Sequence, residues 1–187
     1  MADQLKVLVI CGSLRKKSYN AALARTLPEL APPNMTLVPA PDYEAMPHYN
    51  QDIQDASGFP PTAEDLAQAI RAADGVIIVS PEYNWSIPGT LKNAIDWVSR
   101  MKDQPFKEKP VAIQSCSGGP MGGSRMQYHL RQSLIYLQAF TFGTPEVIVS
   151  NAPSKFDQDL KLVDETTRGI VKQQLEAFAK FIVRVRA

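Results

Sequence analysis

Apolar positions along the chain fall into short solid runs, separated by longer segments in which they recur every three or four residues. Leu5 to Ile10 and Gly75 to Val79 are nearly continuous and rich in β-branched residues, as strands buried on both faces are. Val111 to Ile113 and Val147 to Val149 extend this set, and Met35 to Val38 is a weaker member, giving five strands. Helical spacing covers Asn20 to Leu30, Thr62 to Ala73, Thr90 to Met101, Met121 to Leu137 and about Leu160 to Val185. In the last of these, Ile170, Leu175, Phe178, Ile182 and Val185 form one apolar face. Thr62-Ala-Glu-Asp65 has the shape of a capping box, with Asp in place of the usual Glu, and sets a helix start there. The alternation of strand and helix predicts an α/β fold with a doubly wound, five-stranded parallel sheet in the order 2-1-3-4-5 and helices on both faces.

Length and composition narrow this picture. A chain of 187 residues, 44% hydrophobic, suits a single domain spanning residues 1–187. The stretch from Pro39 to Pro61 reads as a covering or functional loop, because no second core follows that a linker could serve. A net charge of +1 offers no basic field for nucleic acid or an anionic membrane. The N-terminus lacks the regions of a signal peptide, no apolar run approaches the roughly 18 to 20 residues that span a bilayer, and Cys11 and Cys116 each end a strand. These features predict a cytoplasmic protein with reduced thiols and small-molecule partners, inserted in no membrane.

In such a sheet, ligands bind beyond the carboxyl ends of the strands where the winding reverses, between strands 1 and 3. The segment after strand 1 reads Gly12-Ser13-Leu14-Arg15-Lys16-Lys17-Ser18-Tyr19-Asn20 and leads into a helix. A helix N-terminus presents unpaired N–H groups and about half a positive charge, a natural seat for an anion. Ser13, Ser18 and Asn20 can donate to phosphate oxygens, Arg15 brings a planar fork, and the main chain from Leu14 to Tyr19 can wrap the group. Ser18 or Asn20 taken alone also fits an ordinary helix cap. The loop lacks both the Walker ending and the Gly-x-Gly-x-x-Gly pattern, which disfavours nucleoside triphosphates and a Rossmann site.

After strand 3 comes Pro81-Glu82-Tyr83-Asn84-Trp85-Ser86-Ile87-Pro88-Gly89, stiffened by two prolines and carrying two aromatic faces and an amide, which suit a flat heterocycle. Glu82 equally fits a solvated charge. The segment Ser115 to Gly123 holds four of the ten glycines, Gly118 and Gly119 among them, so that backbone can approach a planar ligand, and Ser117 can donate to its edge. Cys116 reads as a small buried residue rather than a nucleophile, and Ser117 does not fit Gly-x-Ser-x-Gly because position 115 is Ser. The two histidines, His48 and His129, stand apart, and no metal spacing appears.

Together the Gly-Ser-x-Arg-x-x-Ser-x-Asn loop, the Pro-Glu-Tyr-Asn turn with its Ser-Ile-Pro-Gly-Thr-Leu-Lys-Asn-Ala-Ile-Asp-Trp continuation, and the Ser-Gly-Gly turn resemble the NADPH-dependent FMN reductase family, in particular its bacterial quinone and chromate reductase branch. The resemblance runs from about Leu5 to Val149 and implies a flavodoxin-like fold. It also implies noncovalent FMN, NADPH or NADH as donor, and ping-pong transfer of two electrons to quinones or other acceptors such as chromate, azo dyes or free flavin. Carried over by position, Ser13, Arg15, Ser18 and Asn20 would hold the phosphate, with Leu14 and Tyr19 contributing main chain or packing. Pro81, Glu82, Tyr83, Asn84 and Trp85 would line the flavin, with Ser117, Gly118 and Gly119 at its ring. The resemblance further implies a homodimer or homotetramer, with Arg125, Tyr128 and Glu146 in polar contacts between subunits, although these residues equally fit a solvated helix face and loop. A second apolar stripe on the Thr90 to Met101 helix, formed by Ala94, Trp97 and Met101, independently suggests a partner helix, with packing within the chain as the competing explanation of Trp97. The alternative is a flavodoxin-type carrier with no reductase activity of its own, although such carriers are strongly acidic and this chain is not.

Overall fold

The computed structural model describes residues 4–186, and its elements alternate along the chain much as the apolar pattern does. Five strands and helices come first: β1 (Leu5–Cys11), α1 (Tyr19–Leu30), β2 (Met35–Pro39), α2 (Gln51–Ser57) and α3 (Pro61–Arg71). There follow β3 (Gly75–Val79), α4 (Gly89–Ser99), β4 (Pro110–Cys116), α5 (Ser124–Tyr136), β5 (Phe140–Thr141), β6 (Val147–Val149) and α6 (Glu165–Arg186). The strands form one parallel sheet in the order β2-β1-β3-β4-β5, and β6 also pairs with β4. This is the flavodoxin-like doubly wound arrangement.

Because β1, β3 and β4 are interior strands, alternate residues go to opposite cores. Leu8, Ile10, Val76, Ile78, Val111 and Ile113 pack under α3, α4 and α5. Val7, Val9, Ile77, Val79 and Ala112 pack under α1 and α6. Solid apolar runs are the sequence signature of that two-sided burial.

Several boundaries differ from the periodicity, each for a local reason. The fifth strand position is shared, since β5 pairs with Pro110 and Val111 and β6 with Gln114 to Cys116. Helix α5 starts at Ser124 rather than Met121, because Gly122 and Gly123 take φ of +59° and +90° and cannot begin a right-handed helix. Helix α6 starts at Glu165 rather than Leu160: residues 157 to 161 make a turn closed by Asp157 N–H to the Lys161 carbonyl at 3.0 Å, and the Asp164 carboxylate accepts Thr167 N–H at 2.9 Å. The Thr62 capping box does not form. Pro61, whose φ is pre-set for a first helical position, opens α3 with no side-chain cap.

The Pro39 to Pro61 segment covers the core and contains α2, whose residues are all at least partly exposed. It also corrects the reading of α4. Trp97 is fully buried within the chain, where Tyr49 and Phe59 meet its ring edge-on at 5.0 and 6.3 Å and its Nε1 donates to the Pro47 carbonyl at 2.7 Å. The second apolar stripe is therefore satisfied by the covering segment, and calls for no partner helix. No described helix is long and apolar enough to cross a membrane.

Candidate functional site

Three loops leave the carboxyl ends of β1, β3 and β4 and are tied to one another. Gly12 N–H donates to the Val79 carbonyl at 2.8 Å, which joins the first loop to the second. Here a glycine is required, because a Cβ at position 12 would lie 2.3 Å from Ser80 Oγ and 2.7 Å from Ser80 Cβ. The hydroxyl of Tyr43, from the covering segment, donates to the Cys11 carbonyl at 2.6 Å and steadies the start of the same loop. Burial and the neighbouring negative charge of Asp42 hold that phenol protonated well above the usual tyrosine range.

The first loop is a cradle of donors. Among the described residues, the backbone N–H groups of Ser13 to Ser18 find no acceptor in the chain, although Ser13 is only 9% and Ser18 only 2% exposed. Ser18 caps α1, its Oγ accepting from Asn20 N–H at 3.1 Å and Ala21 N–H at 3.4 Å, which leaves its hydroxyl proton free to donate outward. Leu14, Arg15, Lys16 and Lys17 are exposed, and Tyr19 packs against Phe156 with ring centres 5.3 Å apart. Unanswered backbone donors at a helix N-terminus, flanked by the buried Ser13 and Ser18, fit a phosphate group. The Asn20 side chain bonds the backbone of Cys116, with Nδ2 donating to the carbonyl at 2.8 Å and Oδ1 accepting N–H at 3.0 Å.

In the second loop Pro81 is buried, while Tyr83 and Trp85 are 51% and 65% exposed. Tyr83 and Ser86 exchange two backbone hydrogen bonds at 3.0 Å, closing a tight turn with Asn84 and Trp85 at φ of +49° and +66°. A bulky indole held at positive φ is strained, and it is held from outside: the Arg125 guanidinium lies over its ring. Glu82 is no solvated charge. Its Oε2 accepts Met126 N–H at 3.1 Å in the first turn of α5, and Oε1 accepts from Arg125 at 3.3 Å. It supplies the cap that Gly123, lacking a side chain, cannot give. The second loop is thereby fastened to the third.

The third loop leaves open backbone. A Cβ at Gly118 would meet no atom nearer than 3.9 Å, and both Gly118 and Gly119 are exposed, while Ser117 Oγ makes only a long 3.4 Å bond to the Gly119 carbonyl. An anion cradle after β1, exposed aromatics after β3 and bare glycine backbone after β4 fit a phosphate joined to a flat ring. Gln127 supports this loop from below, donating to Ser115 Oγ and to the Val147 carbonyl, both at 2.8 Å. Sequence reading missed Tyr43 and Gln127. A tyrosine in a Pro- and Asp-rich stretch, and a glutamine within an apolar helix face, were the available signals. Arg125 and Glu146 have partners within the chain, Glu146 pairing with Arg131 at 3.5 Å, and Tyr128 is exposed. A separate apolar groove of about 490 Å³, lined in part by Cys11, Leu37 and Tyr43, lies between α1 and β2 and shares only Leu14 with the cradle.

Comparison with known proteins agrees with this geometry. The chain is 49% identical to a quinone reductase of Escherichia coli strain K12 and 46% identical to an NAD(P)H-dependent FMN reductase of Pseudomonas aeruginosa, each alignment covering 100% of both proteins. Its fold superposes on FerB, a flavoenzyme NAD(P)H:(acceptor) oxidoreductase from Paracoccus denitrificans, with a TM-score of 0.86 and 31% identity over 96% of this chain and 98% of that one. An FMN-dependent NADH-azoreductase of Bacillus anthracis, in complex with FMN, shares the fold at a TM-score of 0.59 and 14% identity, over 95% of this chain and 99% of that one. With the model of the NADPH-dependent FMN reductases matching residues 5–154, the chain belongs to that enzyme family, whose cofactor is FMN and whose electron donor is NAD(P)H.

Proposed function

We propose that this reductase passes two electrons from NAD(P)H to quinones in a ping-pong order, with chromate, azo dyes and free flavin as further candidate acceptors. The observation that carries the reading is the row of unanswered N–H groups from Ser13 to Ser18, with Ser13 and Ser18 themselves buried, beside two loops with exposed aromatic and bare backbone surfaces. When bound, FMN supplies the capacity to take a hydride from the nicotinamide and hand it to the acceptor, and no protein nucleophile is needed.

The chain's own residues bind and orient. Ser13, Arg15 and Ser18, with the main chain from Leu14 to Tyr19, would hold the phosphate as charge-assisted hydrogen-bond donors. Pro81, Glu82, Tyr83, Asn84 and Trp85 would form one wall of the ring site, and Ser117, Gly118 and Gly119 the other. Donor and acceptor would use the same opening in turn, the oxidised nicotinamide leaving before the acceptor enters, as in a ping-pong order. A homodimer or homotetramer is part of the proposal, supported by Tyr128, Ile135 and Tyr136 on α5, which are 58%, 64% and 85% exposed. A cytoplasmic setting agrees with the two free thiols.

The test is direct. Protein reconstituted with FMN should absorb near 450 nm, the band of oxidised flavin, and oxidise NADPH or NADH rapidly only when a quinone is added. Protein that stays colourless and takes up no FMN would overturn the proposal. Initial rates with both substrates varied should give parallel double-reciprocal lines, and intersecting lines would exclude the ping-pong order. Light scattering on the same sample reads the oligomeric state.

A further inference from the structure

Asn20 makes a contact that neither its place in α1 nor a phosphate requires. Its side chain belongs to a residue only 3% exposed and bonds both backbone groups of Cys116, a residue 96 positions away. The reason lies in the sheet. Strand β3 ends at Val79, and the Ser80 N–H makes a last ladder bond to the Gln114 carbonyl at 3.0 Å. Groups facing a given neighbour recur every second residue along a strand, so Cys116 turns its N–H and C=O toward the side that β3 has just left. The residue of that chain that would next face β4 is Glu82, which lies beyond the end of β3 and makes no bond to Cys116. On the opposite side the ladder continues, with Ser117 N–H donating to the Val149 carbonyl at 2.9 Å. Cys116 is 1% exposed, so its two groups need partners inside the protein. A side-chain amide presents an N–H and a C=O in one plane, as a peptide does, and Asn20 stands in for the missing strand residue.

This places Asn20 at a junction. Its backbone N–H is bonded to Ser18 Oγ in the anion cradle, and its side chain is bonded to the root of the Ser117 to Gly119 turn. We propose that Asn20 is a positioning residue that sets the separation between the cradle and that turn, and so the spacing between a phosphate and the flat ring attached to it. It acts on the cofactor through Cys116 rather than by touching the phosphate. The inference rests on the reading of this crevice as the FMN site.

The experiment compares FMN with riboflavin, which keeps the ring and ribityl chain but has no phosphate. The full chain, freed of flavin, and its Asn20→Ala variant are titrated with each ligand and followed by flavin fluorescence. Both affinities should fall by a similar factor, about tenfold or more, on the scale of a lost buried hydrogen bond. The visible circular dichroism of bound FMN should change with them. A loss confined to FMN would make Asn20 a phosphate contact and overturn the proposal. So would unchanged affinity for both ligands, which leaves Asn20 a stabiliser of the fold alone. Should Asn20→Ala not fold, Asn20→Asp keeps the size and the acceptor for Cys116 N–H but loses the donor. Riboflavin is its readout, since that ligand carries no phosphate for the new charge to repel, and parent-like riboflavin affinity would overturn the proposal. If the unsubstituted chain binds no FMN in the same titration, the reading of the crevice fails and this inference fails with it. Binding by the unsubstituted chain isolates the role of Asn20.

Discussion

The Arg125 guanidinium carbon lies 3.9 Å from the centre of the Trp85 ring while the same group donates to Glu82 at 3.3 Å, so one α5 side chain spans two residues of the loop after β3. A cation over an exposed ring contributes about 0.5 to 1 kcal/mol, and a partly exposed ion pair up to about 1. Arg125→Ala should therefore lower the unfolding free energy by about 1 kcal/mol in urea titration. It should also change tryptophan emission, and the change reports on Trp85 alone, because Trp97, the other tryptophan, is fully buried. An unchanged spectrum would show that Arg125 does not hold the ring.

Arg15 is exposed at the mouth of the cradle, free to turn its fork toward a phosphate. Arg15→Ala should weaken FMN by about 1.5 to 3 kcal/mol, the scale of a lost charge-assisted hydrogen bond, and leave riboflavin affinity unchanged. Calorimetric titration measures both. Equal FMN affinity in the variant would place Arg15 outside the site.

Three adjacent cations are more than one phosphate needs, and Lys16 and Lys17 are as exposed as Arg15. The surplus is suited to the additional phosphate of NADPH. The Lys16→Ala, Lys17→Ala double variant should lose kcat/KM for NADPH by about fivefold or more, the scale of an exposed ion pair, with NADH little affected. Equal efficiency with the two donors, unaltered in the double variant, would remove this role.

Gly123 combines a φ of +90° with a space in which a Cβ would come within 2.8 Å of Ser115 Cβ. Gly123→Ala should cost about 2 kcal/mol or more, from left-handed backbone strain and overpacking together. Urea denaturation checks this, and a cost below experimental error would mean that the turn relaxes freely.

Burial pushes the Cys116 thiol from its ordinary 9.0 up to about 12. The unfolded chain releases that proton first as pH rises. The thiol's contribution to stability is therefore intact below pH 9.0 and is lost progressively as the pH climbs through about 12. Iodoacetamide at pH 8 should leave Cys116 unmodified until denaturant is added, and rapid alkylation of the native protein would contradict its burial.

The sheet was legible in the sequence wherever burial on both faces leaves a solid apolar run, as in β1 and β3. The loop proposed to hold the phosphate stood out in the sequence because Ser13, Arg15 and Ser18 cluster locally. What could not be read is long-range or unpatterned. Helix α2 buries no residue and so prints no apolar period. The surplus apolar face of α4 looked like an interface because nothing near it in sequence announces that Pro47, Tyr49 and Phe59 fold back over Trp97. The roles of Glu82 and Asn20 depend on backbone groups 44 and 96 residues away, and residue type alone names a donor or acceptor without naming its partner.

The divided fifth strand has a bearing on how this molecule meets its neighbours. An open sheet normally ends in a row of unused N–H and C=O groups onto which another chain can add. Here that margin consists of a two-residue and a three-residue fragment, separated by a loop, and neither is long enough to template an incoming strand. At the opposite margin β2 is five residues long and ends in Pro39, which has no N–H to contribute. The sheet is thus blunted on both sides against the addition of another chain's strand.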